Sequence, residues 1–522
     1  MPDPSGPPSL RPRSPVEHSL AELAAQLGAP APEPPAAHGT DQPSRVVVTG
    51  VTHDSRAVRA GDVYAALPGA RTHGARFAAI ARDGGAVACV TDAAGGDEAR
   101  AAGLATYVVD DPRRVLGPLA AWIYGEPARA LTTIGVTGTN GKTTTAYLLE
   151  AGLRGAGRAT GLIGTIETRI GDETVPSVRT TPESTDLQAL FAVMRERGVE
   201  AVAMEVSSHA LALGRVDGTT FDVAVFTNLS QDHLDFHPDL ESYFRAKASL
   251  FTPARARIAV VDVDDAYGAR LARLAADAGL ILVTVSPAGN GSADWRVEDL
   301  VCAPMGSTFT LVGPDGARVA AGTQLAGAFN VDNAALAIVA LVAAGVDAAA
   351  AAAGVQNCPG VPGRMERVET GSQFLALVDY AHSPDSLERL LVTARELVEP
   401  GRRLIVVVGA GGDRDPYKRS IMGAIAARGA DVVVLTSDNP RSEDPLAIVT
   451  AMREGAESVP GATVEVLPDR RSAIETAVRR ARPGDVVVVA GKGHEQGQEI
   501  AGVIHPFDDR VVLREAIMSG AT

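Results

Sequence analysis

Short apolar runs and longer runs with helical spacing alternate along most of this chain. The short runs are too brief for helices and read as buried strands. In the middle of the chain they are Leu131 to Val136, Thr160 to Ile166, Ala201 to Val206 and Phe221 to Phe226. Toward the end they are Leu375 to Tyr380, Arg403 to Val408, Asp431 to Thr436, Thr463 to Leu467 and Asp485 to Ala490. Between them, segments such as Thr144 to Leu153 and Leu240 to Phe251 carry helical periodicity. Strand–helix alternation of this kind predicts parallel sheets covered by helices on both faces. A smaller first unit is expected from the strand-like runs Arg45 to Val51, Ala86 to Thr91 and Thr106 to Val109, with an amphipathic helix over Val16 to Leu27 ahead of it. The longest apolar stretch, Ala334 to Val355, is mostly alanine and is interrupted by Gly345 and Asp347. A membrane span needs about 20 strongly apolar residues, so a buried helix pair is predicted here.

Breaks in the pattern divide the chain. Met1 to Pro15 is rich in Pro and Ser, lacks the apolar core of a signal peptide, and reads as a disordered tail. A Pro-rich connection covers Gly28 to Ser44, and Pro and Gly mark a linker from Cys358 to Glu366. The expected organisation is a tail (1–15) and three α/β domains: an N-terminal one (16–130), a central P-loop domain with a parallel sheet (131–358) and a C-terminal Rossmann-like domain (359–522). A length of 522 residues agrees with three domains at roughly 150 residues each. The net charge of −15 argues against general binding to nucleic acid or anionic membranes. Three scattered cysteines form no metal spacing and no disulfide framework, which fits the cytoplasm.

The joint after the strand Leu131 to Val136 carries the first chemistry. Gly138-Thr139-Asn140-Gly141-Lys142-Thr143-Thr144 lies between strand and helix, where backbone N–H groups and a helix N-terminus favour phosphate. Lys142 would reach the terminal phosphates, and Thr143 would offer a hydroxyl to Mg²⁺. Val136 stands where the usual P-loop has its first glycine. Further groups follow the next strands: Glu205-Val206-Ser207-Ser208-His209, and Asn228-Leu229-Ser230-Gln231-Asp232-His233. In open parallel sheets, strand ends of this kind gather ligands. Glu205, Asp232 and His233 are therefore expected near Lys142, with Glu205 as an oxygen ligand for Mg²⁺; the histidines could equally be structural. Lys247 falls on the apolar stripe of the helix from Leu240. It either extends its head to water or is buried with a depressed pKa. A buried free amine can take up CO2 as a carbamate and so ligate a second metal. Asp54-Ser55-Arg56 is either turn chemistry or a binding loop.

In the last domain, Asp379-Tyr380-Ala381-His382, Gly411-Gly412-Asp413-Arg414-Asp415, Asp438-Asn439-Pro440-Arg441 and Gly491-Lys492-Gly493-His494-Glu495 each follow a strand. They are expected on one edge of the sheet. Two arginines and a glutamate there suit a small zwitterion, since guanidinium pairs with carboxylate and glutamate with ammonium. A structural ion-pair network is the alternative.

These blocks, together with Thr180-Thr181-Pro182 and Lys247, resemble the Mur ligase family from about Arg45 to Ala516, and the Val136 departure is itself the Mur pattern. Within the family they resemble the members that add diaminopimelate. The resemblance implies an ATP-dependent amide ligase of peptidoglycan synthesis with two Mg²⁺ sites. Its substrates would be ATP, diaminopimelate and UDP-N-acetylmuramoyl-L-alanyl-D-glutamate (UDP-MurNAc-L-Ala-D-Glu). It also implies carbamylation of Lys247, with Thr143, Glu205, carbamylated Lys247 and His233 as the metal set and Lys142, Lys247 and His233 as the catalytic one. ATP would be held by Gly138 to Thr144, Asn330, Arg364, Asp379 and His382; Asn330 also suits a helix N-cap. Ser55, Thr180, Thr181, Ser207 and Arg215 would hold the UDP-linked dipeptide. Arg414, Asp438, Asn439, Pro440, Arg441, Gly491 and Glu495 would hold diaminopimelate. A soluble monomer with no nucleic-acid or membrane partner is expected. The competing readings are a lysine-adding Mur ligase, a folylpolyglutamate synthetase, a regulatory nucleotide-binding module and a nucleic-acid-stimulated ATPase.

Overall fold

The strand Thr132–Thr137 runs through the interior of an eleven-stranded sheet. In the computed structural model, which describes residues 10–30, 46–303 and 306–520, this sheet forms the middle of the molecule. Its order is Glu173–Pro176, Glu167–Ile170, Thr160–Ile163, Ala201–Glu205, Thr132–Thr137, Phe221–Phe226, Ala256–Asp262, Ile281–Ser286, Trp295–Ala303, Gly306–Val312, Arg318–Thr323. The run from Thr160–Ile163 to Trp295–Ala303 is parallel. Successive side chains on a strand point to opposite faces, and the cores divide accordingly. Val223 and Val225 belong to one core, with the helices Lys142–Gly155, Ala328–Ala343 and Ala348–Gln356. Ala224 and Phe226 belong to the other, with Ser184–Glu196, Leu240–Ala248 and Ala266–Asp277. The alanine-rich stretch is thus a buried helix pair, as its composition predicts.

Both edges of this sheet depart from the parallel expectation. Glu167–Ile170 and Glu173–Pro176 form an antiparallel hairpin on one side. Trp295–Ala303, Gly306–Val312 and Arg318–Thr323 form an antiparallel meander on the other. The connections within these edges are only a few residues long. A parallel crossover needs a dozen or more, so short connections force antiparallel pairing.

The last domain holds a six-stranded sheet ordered Glu366–Arg367, Leu375–Asp379, Val486–Ala490, Leu404–Ala410, Val432–Ser437, Thr463–Val466, parallel except for its first strand. The chain's last parallel strand is inserted between its two earliest, so several strand ends meet at one place. The first domain has four parallel strands, Gly50–Thr52, Asp62–Ala66, Ala88–Thr91 and Ala105–Val108.

One expectation about the N-terminus is corrected. Residues 1–9 and the Pro-rich connection over 31–45 lie outside the described residues, but residues 10–15, expected as the end of a tail, pack on the protein. Arg11 pairs with buried Asp62 at 3.0 Å and donates to the Tyr124 hydroxyl. The backbone N–H groups of Arg13 and Ser14 donate to the Glu196 carboxylate at 2.9 and 2.7 Å. A carboxylate as buried as Asp62 requires a cationic partner, and Arg11 supplies it.

Candidate active site

The loop from Gly138 to Gly141 is shaped by close packing. Gly138 has φ 152°, and a Cβ there would lie 1.9 Å from Thr227 Oγ1. At Gly141, φ 87°, a Cβ would lie 2.3 Å from Asn333 Oδ1. The loop is stitched to the end of the neighbouring strand: Thr139 N–H donates to Asn228 O (2.9 Å) and Asn140 N–H to Asn228 Oδ1 (3.0 Å). Val136, in place of the usual first glycine, is fully buried in the strand. Lys142 Nζ donates back to Gly138 O (3.0 Å) and Thr139 O (2.8 Å). Burial lowers its pKa, opposed by Glu205 and Asp232.

Glu205 ends the strand Ala201–Glu205 and is 1% exposed. It accepts from Thr143 Oγ1 at 2.9 Å, from Thr165 N–H at 2.6 Å and from Thr165 Oγ1 at 3.1 Å. A buried carboxylate beside a threonine hydroxyl at a helix start offers the hard oxygen donors that Mg²⁺ prefers. Among the described residues, no group of three or more His, Cys, Asp or Glu is set to hold a metal ion.

Lys247 is 1% exposed, so the buried alternative holds. Its Nζ donates to Gly138 O at 2.6 Å and lies 4.5 Å from the Tyr243 ring centre. Burial, reinforced by the nearby Lys142 charge, depresses its pKa well below the usual lysine range. His233 takes a left-handed backbone, φ 55°. Burial lowers its pKa to about 4, and Asp232 opposes that shift.

From the last domain, Arg364 donates to Thr143 Oγ1 at 3.2 Å and stacks over Tyr380 at 4.4 Å. Asp379 accepts from Met365 N–H (2.7 Å) and Ala381 N–H (2.8 Å), which shapes the turn presenting His382. Burial raises the pKa of Asp379 and lowers that of His382. These groups and the P-loop line one cavity of ≈ 490 Å³ between the central and last domains. Thr180, Thr181, Ser207 and Arg215 line it too. Thr181 Oγ1 donates to Glu205 O (2.9 Å) and accepts from Ser207 N–H (3.1 Å). Arg215 pairs with Glu183 at 2.8 Å.

Other expected residues lie elsewhere. Ser55 sits in a turn after Gly50–Thr52 and is not among the cavity's lining residues. Asn330 is buried in its helix, donating to Ala326 O at 2.7 Å and accepting from Asn333 at 3.1 Å. Asn333, one turn on, lines the cavity instead. Arg414, Asp438 to Arg441, Gly491 and Glu495 gather on the C-terminal edge of the last sheet, outside that cavity. There a Cβ on Gly491 would come within 2.7 Å of Asp438 Oδ2. Arg441 is held at φ 53° and donates to Gly412 O at 2.6 Å. Sequence reasoning missed Thr165, which reads as plain strand. It also missed Asp385, which accepts from Asn140 Nδ2 at 2.7 Å and Ser230 Oγ at 3.0 Å across the domain boundary. Its signal was an acidic residue one step past Ser383-Pro384, just after the His382 motif.

Comparison with known proteins agrees with this geometry. Three family models match in succession: "Mur ligase family, catalytic domain" over residues 47–124, "Mur ligase middle domain" over 136–341, and "Mur ligase, glutamate ligase domain" over 363–493. A UDP-N-acetylmuramoyl-L-alanyl-D-glutamate–2,6-diaminopimelate ligase of Streptomyces avermitilis is 60% identical over 515 residues, covering 98% of both chains. The same-named protein of Corynebacterium glutamicum is 50% identical over 484 residues, 90% of this chain and 92% of that one. A solved structure of a ligase of that name superposes with a TM-score of 0.66 at 35% identity, covering 95% of this chain and 100% of the other. No helix among the described residues is long and apolar enough to cross a membrane. With all three domain models matched in order and relatives alike end to end, the chain belongs to the Mur ligase family.

Proposed function

We propose that this chain is the ATP-dependent ligase that joins diaminopimelate to UDP-MurNAc-L-Ala-D-Glu in peptidoglycan synthesis. The observation that carries this reading is the shared cavity. Lys142 and Thr143 from the P-loop, Arg364 and His382 from the last domain, and Thr180, Thr181, Ser207 and Arg215 all line it. A triphosphate and a peptide carboxylate would meet there. The D-glutamyl carboxylate attacks the γ-phosphorus, ADP leaves, and an acyl phosphate forms. The amine of diaminopimelate then attacks the acyl carbon, losing a proton as phosphate departs. Both steps bring anions together, so Lys142 and Arg364 act by position and charge. Mg²⁺, when held by Thr143 and Glu205, would add positive charge at the phosphates. Carbamylated Lys247 and His233 are the proposed holders of a second ion, and Ser55 of the uridine nucleotide. The domain limits are taken near residues 130 and 358, and the enzyme is read as a cytoplasmic monomer.

Diaminopimelate is favoured over lysine because Arg441 would otherwise face a missing carboxylate, a penalty of about 1–3 kcal/mol. The deciding assay is phosphate release with UDP-MurNAc-L-Ala-D-Glu, ATP and Mg²⁺. Diaminopimelate is expected to outperform L-lysine by about tenfold or more in kcat/KM. A preference for lysine would overturn the substrate assignment. Turnover with neither would overturn the ligase assignment.

A further inference from the structure

At the edge that carries Arg414 and Arg441 lies a lysine with no exposure. Lys492 follows the strand Val486–Ala490, and its side chain is 0% exposed. Its Nζ donates to Asn439 Oδ1 at 3.0 Å and to Glu495 Oε2 at 2.9 Å. Asn439 belongs to the loop after a different strand, Val432–Ser437. The same amide accepts from Glu499 N–H at 3.0 Å on Oδ1 and donates to Glu495 Oε2 at 2.8 Å through Nδ2. Both ends of the Asn439 amide are therefore fixed, and so is the Glu495 carboxylate. Two donors converge on Glu495 Oε2, which leaves Oε1 to accept from an ammonium group.

A buried ammonium is a poor way to gain stability. Its desolvation offsets most of what the ion pair contributes, and an apolar residue of similar volume often serves the fold as well. What Lys492 does supply is orientation. It bridges the two loops that carry the amino-acid-binding residues and holds one carboxylate and one amide in a single arrangement.

We propose that Lys492 is a positioning residue for the incoming amino acid, pre-orienting Glu495, braced by Asn439, to receive its ammonium group. This rests on the amino-acid site proposed above. Lys492 acts through Glu495, so its removal weakens capture of the amino acid and leaves the nucleotide steps intact.

The test is steady-state phosphate release by the full-length enzyme, with each substrate varied in turn. Lys492→Met is expected to raise KM for diaminopimelate about tenfold or more. KM for ATP and for the UDP-linked dipeptide should stay within about twofold of the parent. In a Glu495→Gln background the same change should add nothing further, because the group it orients is already altered. An unchanged KM for diaminopimelate, an equal rise in all three KM values, or a full extra loss in the Glu495→Gln background would each overturn the proposal. If Lys492→Met does not fold, Lys492→Gln carries the same test, since it keeps a donor and loses the charge. Arg441→Met separates the two levels of the argument. If Arg441→Met raises KM for diaminopimelate and Lys492→Met does not, only the role of Lys492 is overturned. If neither moves it, the amino acid does not bind at this edge, and both readings are overturned.

Discussion

Lys247 shows how one residue's setting decides its chemistry. Its neighbours on the helix stripe, Tyr243 and Phe244, are fully buried and exclude water from its amine. The nearby Lys142 charge opposes protonation further. Burial therefore disfavours its ammonium form and favours the free amine, the form that reacts with CO2. Its partner, the Gly138 carbonyl, belongs to the phosphate loop itself, so a carbamate would form next to the ATP phosphates. Lys247→Ala is expected to lower kcat about 100-fold or more, and added formate or acetate should restore part of it by filling the space. Activity left intact by the substitution would remove the carbamate from the mechanism. The sequence disclosed this residue because a charged side chain on an apolar stripe breaks the amphipathic pattern. Asn330 and Asn333 lie one turn apart, and periodicity alone does not decide which of them lines the cavity; in the structure it is Asn333.

At the scale of elements, the loops beyond the strand ends do most of the work, and their packing has a measurable signature. The loop Gly491–Glu495 is wedged against the linker to the last domain: a Cβ on Gly363 would lie 2.2 Å from the His494 backbone nitrogen. His494 packs 5.1 Å from Tyr380, ring centre to ring centre. Burial, reinforced by Arg364 and Arg510, lowers its pKa from 6.5 to about 3. The folded protein therefore keeps His494 neutral while the unfolded chain takes up a proton below pH 6.5. Stability contributed here is complete above that value and declines as the pH falls toward 3, by up to about 2 kcal/mol between pH 7 and pH 5. Urea-unfolding midpoints at those two pH values should differ less in His494→Phe than in the parent; an equal difference would refute the assignment. Most elements of this kind were legible in advance, because buried parallel strands such as Val486–Ala490 are continuous apolar runs between turn signals. The edge strands Glu173–Pro176 and Arg318–Thr323 were not, since partly exposed strands mix polar and apolar residues and resemble loops.

For the whole molecule, the decisive relation is between domains that each carry part of the reaction. The shared cavity joins the central and last domains, while Ser55 and the Arg441 edge stand apart from it. Sequence could name the groups but not their separation, because domain placement depends on a few long-range contacts. Asp385 is one: it ties the last domain to Asn140 of the phosphate loop. Amine and acyl phosphate must come within bonding distance, so the last domain is expected to move during turnover. Small-angle scattering should show the radius of gyration decrease when ATP, the UDP-linked dipeptide and diaminopimelate are added together. No change with all three present would count against such a motion. Another long-range tie concerns how the chain is made. Arg11 leaves the ribosome early, yet Asp62, Tyr124 and then Glu196, which anchor it and its neighbours, are synthesised later. The counter-charge of Asp62 is therefore already made when the first sheet assembles, whereas Glu196, which receives the Arg13 and Ser14 N–H groups, is not. The segment from Arg11 to Ser14 is thus a latch closed in two stages, Arg11 within the first domain and Arg13 with Ser14 only after the neighbouring domain has begun to emerge.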